Sequence, residues 1–221
     1  QKKRNNMSDY ADRLEKTYSC VIYDALTRLG HAQCVLPHEI RPLDINTKVA
    51  GSVYTVRGHI DYSLGEEETL LAWVRLLSKV PADSVVICQP NNNEIALMGE
   101  LSAETLKSRG VRGYIVDGGC RDSLFIEKLG FPVFCKFFTS VDIVGKWIPD
   151  AFENDIKIGD VTIHNGDYVM ADRDSTVIIP HGLIDKVISD AEEMVTTENA
   201  VRLAILKGVD PEEAYLKYRK F

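Results

Sequence analysis

These 221 residues lack the patterns that settle a chemistry on sight. There is no H-E-x-x-H, no G-x-G-x-x-G and no Walker loop, so a zinc hydrolase and the simplest nucleotide-binding folds lose their usual carriers. The five histidines, His31, His38, His59, His164 and His181, show no ligand spacing. Cysteine is scarce and unpaired. Cys20, Cys34, Cys88, Cys120 and Cys135 are odd in number with no C-x-x-C among them, which fits reduced thiols and argues against a disulfide framework or a zinc site. No apolar run approaches the roughly 20 residues that span a bilayer, and no signal peptide is visible. The expectations are no membrane association and a cytoplasmic location. Positive charge is in deficit, with a formal net charge of -7, which argues against an extended nucleic-acid surface. Solenoid repeats and low-complexity segments are absent as well.

What is present is ordinary globular material, 45% hydrophobic and 27% charged, in a length that suits one domain. That domain is expected over residues 7–221. Residues 1–6, with Lys2, Lys3 and Arg4, read as a flexible tail, and Met7 is a candidate start. From Tyr10 to Gly30 the apolar residues Leu14, Tyr18, Val21, Ile22, Ala25, Leu26 and Leu29 recur at helical spacing, with Ser19 a candidate cap of a second helix. Asp24 within it reads as a solvated helical aspartate, with a part in a site as the lesser alternative. Val49 to Val56 reads as a strand, paired in a hairpin with what precedes it. Glu66 to Lys79 is a helix with an acidic first turn. Strands 84–88, 114–116 and 133–137 then alternate with short helices over 101–109 and 122–129, which implies a parallel sheet with ligand sites at the carboxyl ends of its strands. Beyond Val161 the β-rich runs 161–163, 167–172 and 176–180, with turns at Asn165-Gly166 and Arg173-Asp174-Ser175, read as antiparallel. A helix over 182–207 and another opened by Pro211 close the chain.

The stretch Gly113 to Ser123 carries the chemistry. A buried strand runs into Gly118-Gly119 and delivers Arg121 and Asp122 side by side at the start of a helix. A planar guanidinium matches a carboxylate bidentately, and an aspartate offers a hard oxygen to a divalent cation. The same residues also suit a plain turn in which Asp122 caps the helix and Arg121 is solvated. Gly99-Glu100 falls at the end of the preceding strand, so two acidic residues and an arginine converge on neighbouring strand ends. Cys120, with no histidine nearby in sequence, reads as a packed thiol.

The ordered set Gly99-Glu100-Leu101, Gly110-Val111-Arg112-Gly113, Val116 to Asp122, Gly166 to Asp172 and Val177-Ile178-Ile179-Pro180 resembles the regulator of ribonuclease activity A family. That family includes the 4-hydroxy-4-methyl-2-oxoglutarate aldolases, which also decarboxylate oxaloacetate. Their signature is an acidic residue, twenty residues, then Arg-Asp, and Glu100 with Arg121-Asp122 reproduces it. The resemblance implies an α/β fold, a layered α-β-β-α sandwich of the phosphohistidine or swivelling-domain type, with parallel central βαβ units and antiparallel strands. It implies a homotrimer or hexamer that acts on a small 2-oxo acid with Mg²⁺ or Mn²⁺. Asp122 would be the direct metal ligand, and Arg121 would bind the pyruvyl carboxylate. Gly99 and the amides of Leu101 and Ser102 would help to hold that carboxylate. Glu100, and Glu198 from a neighbouring subunit, would hydrogen-bond metal-bound water, and the reaction would pass through a pyruvate enolate stabilised by the metal. Lys146, in a loop over 139–147, reads either as a solvated lysine or as a partner for the distal substrate carboxylate. Glu100 stands where many of the aldolases carry aspartate, one methylene shorter. The family also implies an alternative, a non-catalytic module that docks on a ribonuclease or helicase.

Overall fold

The computed structural model describes residues 9–220, so the tail expected over 1–6 lies outside the described residues. After a helical turn over 9–14, helix α1 (Ser19–Arg28) begins. Its N-cap is Tyr18 rather than Ser19, because Ser19 is the first helical residue and its hydroxyl donates to Asp172 Oδ1 at 2.7 Å. Strands β1 (Arg41–Pro42) and β2 (Val49–Ile60) follow, then α2 (Glu66–Lys79), β3 (Ser84–Gln89), α3 (Glu100–Ser108), β4 (Gly113–Val116), β5 (Gly119–Cys120), α4 (Ser123–Leu129) and β6 (Val133–Cys135). The second half holds β7 (Phe137–Phe138), β8 (Trp147–Phe152), β9 (Ile156–Ile158), β10 (Val161–Ile163), β11 (Tyr168–Ala171) and β12 (Thr176–Ile179). Helices α5 (Ile184–Leu206) and α6 (Pro211–Tyr218) complete it.

The main sheet runs β1-β6-β4-β3-β2-β11-β12, with β8 on the second half of β2. Strands β2, β3, β4 and β6 are parallel, as the alternation with short helices implies. The others are antiparallel. The hairpin expected between β2 and the residues before it does not form. Strand β1 pairs with β6 instead, and β2 takes β3 and β11 as neighbours. A twelve-residue strand offers two lengths of edge, and its second half is covered by β8, which breaks register between Arg57 and Gly58. Such an irregularity lets a strand bend and serve two neighbours.

Side-chain alternation explains the layers. Val86, Cys88, Tyr114 and Val116 point to one face, where Trp73 and Leu76 of α2, Leu106 of α3 and Ile126 of α4 cover them. Val85, Ile87 and Ile115 point to the other, where they meet Val169, Ala171 and Ile178 of β11 and β12 together with the β9–β10 hairpin. The sheet therefore curls over its own interior. The outer face of β11 and β12, through Tyr168, Met170, Val177 and Ile179, is sealed by α1 and α5. Helix, sheet, sheet and helix stack in that order, which is the α-β-β-α arrangement. No helix among the described residues is long and apolar enough to cross a membrane.

Candidate active site

Three loops at the carboxyl ends of β3, β4 and β6 are joined through their main chains. Leu97 N–H donates to Gly119 O at 2.9 Å, Arg121 N–H to Met98 O at 2.9 Å, and Ala96 N–H to Val141 O at 2.8 Å. Strand β5 pairs with β7 in the same layer. The approach is close enough to dictate glycine. A Cβ at Gly119 would stand 2.7 Å from the Phe137 ring and 2.8 Å from Ile95 O. At Gly99 it would meet Asp122 Oδ2 at 2.9 Å and Arg121 Cγ at 3.1 Å.

Asp122 is the N-cap residue of α4, yet its side chain makes no capping bond. Its backbone is left-handed, φ 55° and ψ 32°, a conformation that costs a residue with a Cβ and that tends to persist where surrounding structure enforces it. The turn throws the carboxylate backward to the start of α3, where Oδ2 accepts from Glu100 N at 3.2 Å and lies 3.5 Å from Arg121 Nε. Arg121 in turn reaches Asp142, with Nη1 to Oδ2 at 3.2 Å. Lys146 binds the other oxygen of Asp142 at 3.3 Å and donates to Val144 O at 2.9 Å. The result is a chain of alternating charge, Asp122, Arg121, Asp142 and Lys146.

A cleft of about 240 Å³ opens against this chain. Gly99, Glu100, Leu101, Ser102, Arg121, Asp122 and Asp142 line it together with Leu70, Trp73, Met98, Ile143 and Val144. Helical bonding in α3 starts with Ala103 N–H to Gly99 O at 3.0 Å, so the amides of Leu101 and Ser102 precede the first intrahelical bond, the position in which helix N–H groups accept anions. Trp73 Nε1 donates to Ser102 Oγ at 2.9 Å and fixes that hydroxyl. A second hollow lies beyond Asp122, against Phe138, Thr139 and Ser140. Cys120, between them, is buried. Its thiol is pushed up, out of reach of a thiolate at ordinary pH, by the hydrogen bond with Cys135 and by burial.

Six of the expected site residues, Gly99, Glu100, Leu101, Ser102, Arg121 and Asp122, thus share one cleft, and Lys146 joins them through Asp142. Glu198 does not lie with them in the single chain. It sits on α5, where Tyr18 donates its hydroxyl to one carboxylate oxygen and Lys220 Nζ lies 3.2 Å from the other. Asp24, expected to be solvated, accepts from the same Lys220 at 3.1 Å. Sequence reasoning assigned no role to Asp142 or to the Leu70 and Trp73 wall. The spacing of Asp142 and Lys146, four residues apart in one loop, was the available signal for the first.

A family model described as RraA-like, Aldolase/RraA, matches residues 19–178, well over half of the chain. The chain belongs to the RraA-like family. Every cleft residue named above lies inside the matched stretch, and Glu198 lies beyond it. A Halalkalibacterium halodurans protein with the provisional name 4-hydroxy-4-methyl-2-oxoglutarate aldolase is 27% identical over 209 residues, covering 95% of this chain and 94% of that one. Among solved structures, an uncharacterized protein from Pseudomonas syringae pv. tomato aligns with a TM-score of 0.85 at 24% identity over 95% of this chain and 94% of its own. Streptomyces coelicolor RraAS2, described as an unusual member of the RNase ES inhibitor RraA protein family, aligns at 0.78 and 24% identity over 88% and 97%. These two structures speak for the fold.

Among the described residues no group of three or more His, Cys, Asp or Glu side chains converges to hold a metal. A hard cation that keeps most of its water needs fewer, one or two carboxylates. Asp122 fits that demand as the direct ligand, and Glu100 in the same cleft would hold one of the cation's waters. The contacts of Asp122 with Glu100 N–H and Arg121 fall on Oδ2, and Oδ1 has no hydrogen-bond partner among the described residues.

Proposed function

We propose that the chain is a divalent-cation-dependent carbon–carbon lyase that cleaves 4-hydroxy-2-oxo acids to pyruvate and decarboxylates oxaloacetate at the same site. The observation that carries this reading is the cleft where the Arg121 guanidinium, the Asp122 carboxylate and the first-turn amides of α3 face one another. The name of the Halalkalibacterium relative supports the reaction class.

Arg121 has five N–H donors, and its recorded contacts to Asp142 and Asp122 use only Nη1 and Nε. The remaining donors hold one oxygen of the pyruvyl carboxylate, and the amides of Leu101 and Ser102 hold the other. Asp122 would hold the divalent cation, which would supply Lewis acidity toward the 2-oxo group. Holding the carboxylate and the adjacent 2-oxo group fixes the C3–C4 bond beside Glu100, whose carboxylate takes the 4-hydroxyl proton through a water and returns it to C3. Bond cleavage leaves the electron pair on C3 and releases a carbonyl fragment; from oxaloacetate CO₂ leaves instead, and with no 4-hydroxyl proton to return, C3 takes its proton from water. The apolar wall of Leu70, Trp73 and Ile143 limits water at the breaking bond. Pyruvate release that requires Mg²⁺ or Mn²⁺, stops with chelator and vanishes in Asp122→Ala is the expected result. Undiminished turnover in that variant overturns the assignment.

A second reading, a non-catalytic module that docks on a ribonuclease or helicase, draws on the exposed apolar residues beside the cleft, Leu101, Leu124, Phe125 and Phe138. Binding to such a partner by a protein inert toward a panel of 2-oxo acids would put it first.

A further inference from the structure

Arg121 reaches the cleft on a long side chain, 36% of which is exposed. Left to itself such a side chain samples many rotamers, and a ligand carboxylate that had to order it would bind more weakly by that entropy. Two carboxylates stand beside the guanidinium. Asp122 Oδ2 lies 3.5 Å from Nε, longer than a normal hydrogen bond. Asp142 Oδ2 accepts from Nη1 at 3.2 Å.

Asp142 is suited to hold another group because its own place is fixed. Its Oδ1 accepts from Val144 N–H at 3.2 Å and lies 3.3 Å from Lys146 Nζ. The loop around it is pinned on both sides, by Ala96 N–H to Val141 O at 2.8 Å and by Gly145 N–H to Thr69 Oγ1 at 2.9 Å, and Ile143 between them is buried. Oδ1 therefore faces the loop and Oδ2 the arginine. The pairing also leaves the arginine usable. Asp142 meets it through one oxygen and one nitrogen rather than across the fork, and Nη2 has no hydrogen-bond partner among the described residues.

We propose that Asp142 is the positioning residue for Arg121: it fixes the guanidinium before a ligand arrives, so that the Nη2 donors meet the carboxylate of a 2-oxo acid already oriented. The choice of ligand rests on the lyase reading. Asp122 cannot do this work alone. Once that carboxylate holds a cation its charge is spent there, and the cation repels Arg121, which leaves Asp142 as the anion that keeps the guanidinium in place. The two carboxylates divide the task, Asp122 for the cation and Asp142 for the arginine. With 38% of the Asp142 side chain exposed, the pair adds little to the stability of the fold, and its effect is felt in binding.

The test titrates pyruvate into the Mn²⁺-loaded protein by calorimetry and follows exchange of the pyruvate C3 protons in D₂O by NMR. Asp142→Asn keeps an oxygen for Val144 N–H and removes the charge that faces Arg121. Pyruvate should bind it about tenfold more weakly, the scale of ordering one long side chain at the moment of binding. In the exchange reaction the loss should fall on KM, with kcat close to that of the wild type, because Arg121 grips the carboxylate equally in the ground state and the transition state. Arg121→Met should weaken pyruvate by itself, and Asp142→Asn added to it should bring no further loss. Tighter pyruvate binding by Asp142→Asn overturns the proposal, since Asp142 would then compete with the ligand for the guanidinium. So do a fall in kcat at unchanged KM, the mark of a merely structural role, a full further loss in the Arg121→Met background, and a larger loss of affinity for Mn²⁺ alone than for pyruvate. Absence of exchange in the wild type removes the lyase reading and the proposal with it, whereas exchange together with unchanged pyruvate affinity in Asp142→Asn defeats the proposal alone.

Discussion

Glu198 and Asp122 each lie beside a cationic side chain, and they differ in how completely their oxygens are used. Both oxygens of Glu198 are taken, one by the Tyr18 hydroxyl and one by Lys220, and the pair is largely shielded, with 22% and 17% of the two charged side chains exposed. That contact fastens the end of the chain to α1 and α5. Asp122 keeps one oxygen open and sits in a left-handed backbone beside a cleft. Satisfied charge of the first kind stabilises the fold, and incomplete pairing of the second kind leaves capacity to bind.

The comparison breaks most visibly at Asp122. Asp122→Ala is expected to lower kcat/KM for pyruvate release at least about 10²-fold, the scale of losing one electrostatic stabiliser, with little change in the urea midpoint. Equal losses of activity and stability would mean that the carboxylate merely holds the turn. Gly99→Ala comes next, since the added methyl group meets Asp122 Oδ2 at 2.9 Å. Crowding of this kind costs about 1–3 kcal/mol, and because the atoms that must move are those of Arg121 and Asp122, the rate should fall more than the thermal midpoint. Glu198→Gln probes the other side. Weakening its charge-assisted bonds to Tyr18 and Lys220 should cost about 1–2 kcal/mol of stability in urea. A rate loss beyond the loss of folded protein would mark Glu198 as a reacting group supplied across a subunit boundary. The smallest effect concerns Tyr18, whose phenol is pushed up to about 12 by burial and by the bond to Glu198. A raised phenol adds stability that is whole below its ordinary pKa of 10.0 and is lost as pH climbs through about 12. Tyr18→Phe should therefore flatten the alkaline decline of the unfolding midpoint across that window.

Much of the parallel half could be read from the chain because its signals are local. Strand runs 84–88 and 114–116 and helix run 101–109 fall within a residue of Ser84–Gln89, Gly113–Val116 and Glu100–Ser108. Each is an apolar run or periodic stretch closed by glycine or proline. Strands β8 and β9 escaped notice, since Trp147–Phe152 carries Pro149 and Asp150, and Ile156–Ile158 is only three residues long. They are strands because neighbours accept them. Strand β8 lines the open half of β2, and β9 pairs with β10 beneath the curled sheet. At the site, the Arg121-Asp122 pair and Glu100 could be found from spacing along the chain. The tie between Arg121 and Asp142 could not, because it depends on a loop being folded back across 21 residues.

The stitching of the three loops bears on how such a site can change. Leu97 to Gly119, Arg121 to Met98 and Ala96 to Val141 are amide-to-carbonyl bonds, indifferent to the identity of most side chains that hang from them. Drift in sequence can therefore remodel the wall at Leu70 or Trp73 while the arginine and aspartate stay where the main chain puts them. On the lyase reading, a lineage with such a frame can trade one substrate tail for another by single replacements, without first passing through a protein that has lost its grip on the reacting end.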